Sequence, residues 1–207
     1  MLTRWSKERE TELRKTRLRG PGGGIYRLAA GPLGILALAL PGTSEEAFEA
    51  LLRRQLQLPP STEGRDPRLV GGIQGLLDQA AAFVEEWDLE VASHVFSLPL
   101  PLDLRGTAFR LRVWKALQAV LPGRVVTYGE LAERAGAARA ARAVGTAMRN
   151  NPIPLFVPCH RVVASNGPGK FGNAGLGLKM ELLRREGWKG WEESGGPLEI
   201  MSGRTRR

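Results

Sequence analysis

Cysteine is the residue this chain has least of: Cys159 is the only one among 207 residues, beside two histidines. A lone cysteine excludes a disulfide within the chain. A structural zinc site usually takes four protein ligands, so this composition predicts no bound metal. Two interpretations of Cys159 stay open, a buried inert thiol and a nucleophile, and its neighbours must decide between them.

Long apolar segments are also missing. No apolar run approaches the roughly 18 residues of a membrane span, and the longest, residues 35–40, is short. The N-terminus is basic but lacks the apolar core of a signal peptide. With 43% hydrophobic and 25% charged residues, the composition is that of a soluble globular protein. We therefore expect an intracellular, cytoplasmic protein with no membrane partner.

Acidic residues are scarce in the second half of the chain. The net charge of +9 divides into +4 for residues 1–24, −6 for residues 25–104 and +11 for residues 105–189. A strongly basic half beside an acidic one predicts that the second half meets a polyanion such as nucleic acid. The alternative is that its Lys and Arg side chains only keep the surface soluble.

Glycine, proline and composition divide the chain into four parts. Residues 1–24 are interpreted as a basic tail that begins as a helix and ends in a glycine-rich linker. An N-terminal α/β domain is predicted over residues 25–103 and a mostly helical domain over residues 104–189. Residues 190–207 form a second tail. The predicted fold class is therefore α/β, of the α+β type.

Local patterns predict the individual elements. Two apolar stretches around Gly31-Pro32 indicate a β-hairpin over residues 25–40, and residues 95–104 are interpreted as a strand or extended connector. Capping residues and apolar spacing indicate five helices in these two domains. The first begins after Thr43 or Ser44, the second covers residues 73–86, and the third begins after Thr107. The fourth and fifth cover residues 128–134 and 137–149. The last two, separated by Gly136, are predicted to form a helix-turn-helix.

The chemistry-bearing stretch surrounds the cysteine and reads Pro158-Cys159-His160-Arg161-Val162-Val163. A thiolate is the nucleophilic form of cysteine, and neighbouring cations lower a thiol pKa. His160 and Arg161 are adjacent in sequence, which does not by itself bring their side chains to the thiol. A histidine held by a carboxylate would complete a nucleophile, a base and an orienting group. Glu186 is the best carboxylate for this role, and the alternative is that it lies at an ordinary solvated helix end.

This stretch resembles the active-site motif of the O6-alkylguanine-DNA alkyltransferases. The resemblance is specific over residues 104–187, where further motifs match in order and at similar spacing: residues 106–109, Val113-Trp114, Pro122-Gly123, residues 127–132 and 142–145, Asn151-Pro152 and residues 179–186. It implies a small ribonuclease-H-like α/β domain over residues 25–103, followed by a domain that binds DNA and accepts the alkyl group. Residues 1–24 and 190–207 have no recognisable counterpart.

For the transfer chemistry, the resemblance implies five catalytic roles. Cys159 accepts the alkyl group from the O6 of a damaged guanine, and His160 acts on its thiol through a bound water. Glu186 orients that histidine, Asn151 braces the turn around the cysteine, and Tyr128 gives a proton or hydrogen bond to the leaving guanine. A thioether has no ready hydrolysis route, so each molecule acts once, and the chemistry needs no cofactor.

For binding, the resemblance implies that a monomer recognises double-stranded DNA containing O6-alkylguanine, and therefore that the protein is associated with a nucleoid or nucleus. The damaged nucleotide must be flipped out of the stack, and Arg142 would fill the space it leaves. Small residues on the second helix of the helix-turn-helix would allow close approach to the DNA, although helix–helix packing also explains such a face. The implied DNA-binding residues are Arg142, Ala140, Ala141, Gly145 and Thr127, and the implied substrate pocket consists of Val162, Phe171 and Asn173.

One segment departs from the family pattern. Where the family has Gly-Tyr-x-Gly-Gly, this chain has Phe171-Gly172-Asn173-Ala174-Gly175, so the tyrosine is missing and Ala174 replaces a glycine. Phe171 would restore an aromatic wall, and Asn173 would offer its backbone N–H to O6. Two other functions stay open: damage recognition without transfer, if the altered loop disables the chemistry, and thiol hydrolysis by Cys159 and His160.

Overall fold

A computed structural model describes residues 13–59, 72–86 and 100–189. Within these residues the architecture is mixed α/β, with a three-stranded sheet, a two-stranded sheet and six α-helices. Residues 1–12, residues 95–99 of the predicted connector and the predicted tail 190–207 lie outside the description. No helix among the described residues has the length and apolar character needed to cross a membrane.

The larger sheet consists of three antiparallel strands in the order β1 (Arg14–Arg19), β2 (Ile25–Gly31) and β3 (Gly34–Ala39). Strands β2 and β3 confirm the predicted hairpin. The interpretation of residues 1–24 as a tail is wrong for β1, which pairs with β2 along its whole length. The alternation of buried and exposed residues is not visible in the sequence of β1, because Leu18 is its only apolar and only buried residue and the other five are charged or polar.

Two helices cover opposite faces of this sheet. Helix α1 (Glu45–Leu56) begins at Ser44, whose hydroxyl accepts a hydrogen bond from Ala47 N at 3.2 Å, as its sequence predicts. Its Phe48 and Leu52 pack against one face. Helix α2 (Gly72–Glu86), predicted from apolar spacing, packs against the other with the side chains of Leu76, Leu77, Ala80, Phe83 and Val84. Burial on both faces makes the sheet a rigid support.

The described residues of the second half, 100–189, form four helices and a short parallel sheet. The helices are α3 (Ala108–Gln118), α4 (Tyr128–Arg134), α5 (Ala141–Arg149) and α6 (Gly175–Arg185), and the strands are β4 (Val126–Thr127) and β5 (Val162–Val163). Trp114 on α3 is buried at the centre and donates to the Ala147 carbonyl on α5 at 3.1 Å. This bond fixes α5 against α3 in a mainly apolar core.

Helix α5 begins later than its sequence pattern predicts. Its alanine-rich start suggested a helix from residue 137, but the helix begins at Ala141. Arg139 adopts a left-handed backbone conformation with φ of 69°, which interrupts any continuous helix at that point. Gly136, also at φ of 69°, ends α4 as predicted, because glycine adopts that conformation without strain.

The edge of β3 that does not pair with β2 joins the two halves of the chain. Ile35 N donates to Pro101 O at 2.9 Å, Asp103 N donates to Ile35 O at 2.8 Å, and Leu38 N donates to Pro152 O at 2.8 Å. The buried ion pair between Arg105 and Asp103, 2.6 Å apart, reinforces this joint. The backbone that leads to Cys159 is therefore bonded directly to the N-terminal sheet.

Candidate active site

Cys159 begins a short 3-10 turn, Cys159–Arg161, that follows a tightly constrained segment. Asn151 holds this segment with both ends of its amide: Nδ2 donates to Val157 O at 2.7 Å, and Oδ1 accepts from Ile153 N at 3.1 Å. Asn151 also lies close enough to the Cys159 thiol to lower the pKa of that thiol. The predicted brace and the predicted nucleophile therefore lie together, with part of Cys159 exposed.

A buried histidine–carboxylate pair lies beside the cysteine. His160 is fully buried, and its Nε2 lies 2.7 Å from Glu186 Oε1. Glu186 follows directly after α6 and is buried, so the alternative of a solvated helix end does not apply. The structure thus brings together His160 and the carboxylate that its sequence pattern singled out, from positions 26 residues apart.

Arg161 does not serve as a neighbouring cation for the thiol. Its buried guanidinium instead contacts Glu186, with Nη2 2.7 Å from Oε1, and its Nη1 donates to the Val120 carbonyl. Arg161 points toward Glu186 because a buried carboxylate without a partner would cost folding free energy. Glu186 therefore has two cationic or proton-donating neighbours.

The surroundings keep the resting thiol protonated. Burial raises the pKa of the Cys159 thiol, and the nearby Asn151 amide, the charge of Lys179 and adjacent backbone N–H groups offset this only in part. Burial lowers the pKa of His160, against the opposite influence of Glu186. A neutral imidazole next to a protonated thiol can act as a base when a substrate arrives.

Lys179 is a site residue that sequence reasoning did not assign. Its side chain is fully buried on α6, and its Nζ donates to Val162 O at 2.6 Å and to Pro168 O. Burial lowers its pKa to about 8, although the nearby Cys159 favours the charged form. The signal in the sequence was a lysine on the same helical face as the buried pair Leu182-Leu183.

Tyr128 lies at the start of α4, half-buried between two glycines. A Cβ at Gly169 would come within 3.6 Å of the Tyr128 hydroxyl, and one at Gly145 within 3.9 Å of its ring. Burial raises the pKa of Tyr128, with a further contribution from Cys159, so the phenol stays protonated as a donor. Thr127 caps the same helix in the predicted capping box, accepting from Glu130 N at 3.1 Å.

The predicted DNA-binding residues on and before α5 do not all face outward. Arg142 is exposed, and it shares one helical face with the exposed side chains of Ala143, Thr146 and Arg149. Ala140 packs against the C-terminal core, and Ala141 and Gly145 are only half-exposed. Gly145 faces Tyr128 instead. Part of the small-residue pattern is thus explained by packing inside the protein, as the alternative interpretation held.

The predicted pocket residues differ in their placement. Val162 is fully buried in the C-terminal core. Phe171 is also buried, and its ring meets that of His160 edge-on, with centroids 6.4 Å apart and planes at 85°. It therefore packs beside the histidine inside the protein. The backbone of Asn173 lies in the 3-10 turn Gly172–Ala174.

The groups around Cys159 are suited to moving protons and binding anions. They comprise a neutral imidazole, an ionised carboxylate, an ammonium and a phenol, none of which needs a bound metal for these roles. The residues that the structure describes contain no group of three or more His, Cys, Asp or Glu that could hold a metal ion. The arrangement fits nucleophilic attack by sulfur with assisted proton transfer.

The raised pKa of Cys159 predicts how the thiol reacts without DNA. Because only the thiolate reacts, we expect the rate of alkylation by iodoacetamide to rise about tenfold per pH unit through neutral pH. It should not level off below the ordinary thiol pKa of 9.0. Mass spectrometry of timed aliquots measures this rate, and the urea-unfolded chain is the control. A plateau near neutral pH in the folded protein would contradict a protonated resting thiol.

Comparison with known proteins identifies the family. The family model described as 6-O-methylguanine DNA methyltransferase, DNA binding domain, matches residues 108–188. The methylated-DNA–protein-cysteine methyltransferase of Mycolicibacterium paratuberculosis is 38% identical over 164 residues, which cover 78% of this chain and 91% of the relative. The chain belongs to this methyltransferase family.

The likeness extends over both halves of this methyltransferase. The protein of the same name from Cricetulus griseus is 37% identical over 171 residues, covering 78% of this chain and 81% of the relative. A crystal structure of the Mycobacterium tuberculosis O6-methylguanine methyltransferase matches with a TM-score of 0.60 and 35% identity, covering 84% and 92% of the two chains. Mycobacterium tuberculosis OGT in complex with DNA matches with a TM-score of 0.60 and 33% identity, covering 83% and 91%.

Proposed function

We propose that this protein repairs DNA by direct reversal, moving a methyl or larger alkyl group from the O6 of guanine onto Cys159. The observation that carries the proposal is a partly exposed cysteine beside a buried His160–Glu186 pair, in a member of the methylated-DNA–protein-cysteine methyltransferase family. Nucleophile, base and orienting carboxylate are the groups that such a transfer needs.

The reaction is an in-line displacement at carbon. The thiol proton passes to His160 through a bound water, sulfur forms a bond to the alkyl carbon, and the bond from that carbon to O6 breaks. Guanine leaves with the electron pair, and Tyr128 supplies a hydrogen bond or proton to it. The thioether is stable to water, so one molecule performs one transfer and is consumed, without a cofactor.

Double-stranded DNA containing O6-alkylguanine is the proposed partner. Helices α4 and α5, joined by residues 135–140, would act as a helix-turn-helix, with the outward face of α5 against the DNA. Arg142 on that face would enter the duplex as the damaged nucleotide flips out. The charge of +11 over residues 105–189 would bind phosphates without sequence preference.

Three further assignments belong to the same proposal. The N-terminal sheet with its two covering helices would be a small ribonuclease-H-like domain that supports the active site through β3. The protein would act as a monomer, because one chain holds every group that the transfer uses. It would work inside the cell, where a reducing environment keeps its single thiol available.

The proposal is tested by incubating the protein with duplex DNA that contains one O6-methylguanine. Trypsin releases residues 150–161, which include Cys159, and a stoichiometric gain of about 14 Da on this peptide is expected when a methyl group is transferred. No gain with tight lesion binding preserved would favour damage recognition alone and implicate residues 171–175. Multiple turnovers of an ester or amide substrate would favour a thiol hydrolase.

A further inference from the structure

We propose that Arg161 is a positioning residue for alkyl transfer: it holds Glu186 ionised and in place, so that His160 stays neutral with its proton on Nε2. This inference rests on the proposed function, because it concerns the base of that reaction. Arg161 need not touch the substrate. Its effect would pass through Glu186 to the imidazole and so to the thiol of Cys159.

The geometry of the guanidinium carries the argument. Arg161 Nε lies 3.1 Å and 3.0 Å from the two carboxylate oxygens of Glu186, and Nη2 lies 2.7 Å from Oε1. The remaining arm, Nη1, donates to the carbonyl of Val120, just beyond α3. The planar fork is thus anchored between the ends of α3 and α6, which fixes the carboxylate rigidly.

One carboxylate oxygen serves both partners. Glu186 Oε1 lies 2.7 Å from His160 Nε2 and 2.7 Å from Arg161 Nη2, and the side chains of His160 and Glu186 are fully shielded from solvent. An ionised carboxylate without Arg161 would draw a second proton onto the imidazole. The guanidinium supplies the opposing positive charge, so Glu186 orients His160 without charging it.

Lys179, the other cation near His160, acts on the imidazole in the same direction as Arg161. Burial and the charges of Arg161 and Lys179 lower the pKa of His160, whereas Glu186 raises it. Burial alone would raise the pKa of Glu186, but His160 and Arg161 outweigh it and lower the pKa. Because burial raises the pKa of Cys159, its thiol is uncharged at neutral pH and adds no negative charge near His160. A neutral imidazole with Nε2–H toward Glu186 presents Nδ1 as its proton-accepting nitrogen.

The experiment replaces Arg161 and follows the imidazole directly. The chain has only one other histidine, His94, so a His94→Gln background labelled with 15N-histidine reports His160 alone. With Arg161 present, we expect a neutral Nε2–H tautomer at neutral pH and a titration midpoint below the ordinary histidine range. In R161M the titration midpoint of His160 should rise by about one pH unit or more. R161K, which keeps the charge but loses the fork, should lie between the two.

Repair kinetics provide the second readout. Because a charged imidazole cannot accept the thiol proton, the acidic limb of the single-turnover pH profile should move upward in R161M with the NMR midpoint. Transfer at pH 7 should fall about tenfold or more. The matched control is R184M, which removes a guanidinium of the same kind from an exposed ion pair between Arg184 and Glu181, both on α6. It should leave both the His160 midpoint and the transfer rate unchanged.

A double-variant comparison separates positioning from general support of the fold. R161M leaves Glu186 buried without its guanidinium and can unfold the protein, whereas R161M/E186Q removes that charge as well. If Arg161 acts mainly through Glu186, its replacement should raise the His160 midpoint clearly less in the E186Q background than with Glu186 present, because only the direct effect of the Arg161 charge on the imidazole remains. An equal rise in both backgrounds would overturn the proposal, as would folded R161M and R161K with an unchanged midpoint and tautomer. Failure of methyl transfer by the unmodified chain would instead overturn the proposed function.

Discussion

Replacing Cys159 with alanine is expected to abolish alkyl transfer while leaving the affinity for duplex DNA unchanged. The substitution removes the only thiol in the chain, and no other described group at the site is a comparable nucleophile at neutral pH. We expect a loss of at least about 10³-fold, to the limit of detection. Removing one sulfur atom from a partly exposed position should cost about 1 kcal/mol or less of unfolding free energy.

The measurement uses duplex DNA with a radiolabelled O6-methyl group. Transfer is followed as label bound to protein, and DNA affinity is measured separately at fixed salt, because such affinities depend strongly on ionic strength. The control is Gln74→Ala, which shortens an exposed side chain on α2, outside the proposed DNA-binding face, and keeps Cys159. Label acquired by the Cys159→Ala protein would refute Cys159 as the acceptor.

Replacing Arg142 with alanine is expected to slow repair of duplex DNA far more than transfer from a free base. Arg142 lies exposed at the first turn of α5, where nothing in its described surroundings shields it from a bound duplex. A flipped nucleotide leaves a gap, and unstacking costs a few kcal/mol that an inserted side chain offsets. We expect a loss of about 100-fold on duplex, equivalent to about 3 kcal/mol, and a change of about twofold or less on free O6-alkylguanine.

Arg149→Ala is the matched control for this prediction. Arg149 is exposed on the same face of α5, two turns further on, so its replacement removes the same charge without removing the proposed finger. It should weaken duplex binding, because one attraction to the phosphates is lost, but the rate of repair at saturating protein should stay near that of the unmodified chain. Equal losses for Arg142→Ala on duplex and on free base would argue against insertion into the stack.

Several elements were predictable because their signals are local. The Ser44 cap, the Thr127–Glu130 capping box and the glycine that ends α4 each act within a few residues, and the structure contains all three. The hairpin of β2 and β3 was predictable for the same reason. The start of α5 was not, because high alanine content favours a helix while the turn at Arg139 interrupts it.

Long-range contacts account for what sequence reasoning missed. Strand β1 is mostly charged, and it becomes a strand because its backbone pairs with β2 and Leu18 enters the core. Its Lys15 and Arg17 side chains form ion pairs with Glu49 and Glu45 on α1 at the surface. Lys179 looked like an ordinary helix residue until its carbonyl partners, at Val162 and Pro168, were known. Phe171 became a neighbour of His160 in the same way.

The sequence by itself determined which residues could carry the chemistry. A single cysteine, a following histidine and a distant glutamate in family-like order were enough to predict nucleophile, base and orienting group. Only the tertiary structure decided the electrostatics, because burial and the direction of each side chain arise from packing between distant segments. It turned Arg161 toward Glu186 and away from a role at the thiol, and burial raised the pKa of Cys159 where sequence adjacency suggested a lower one.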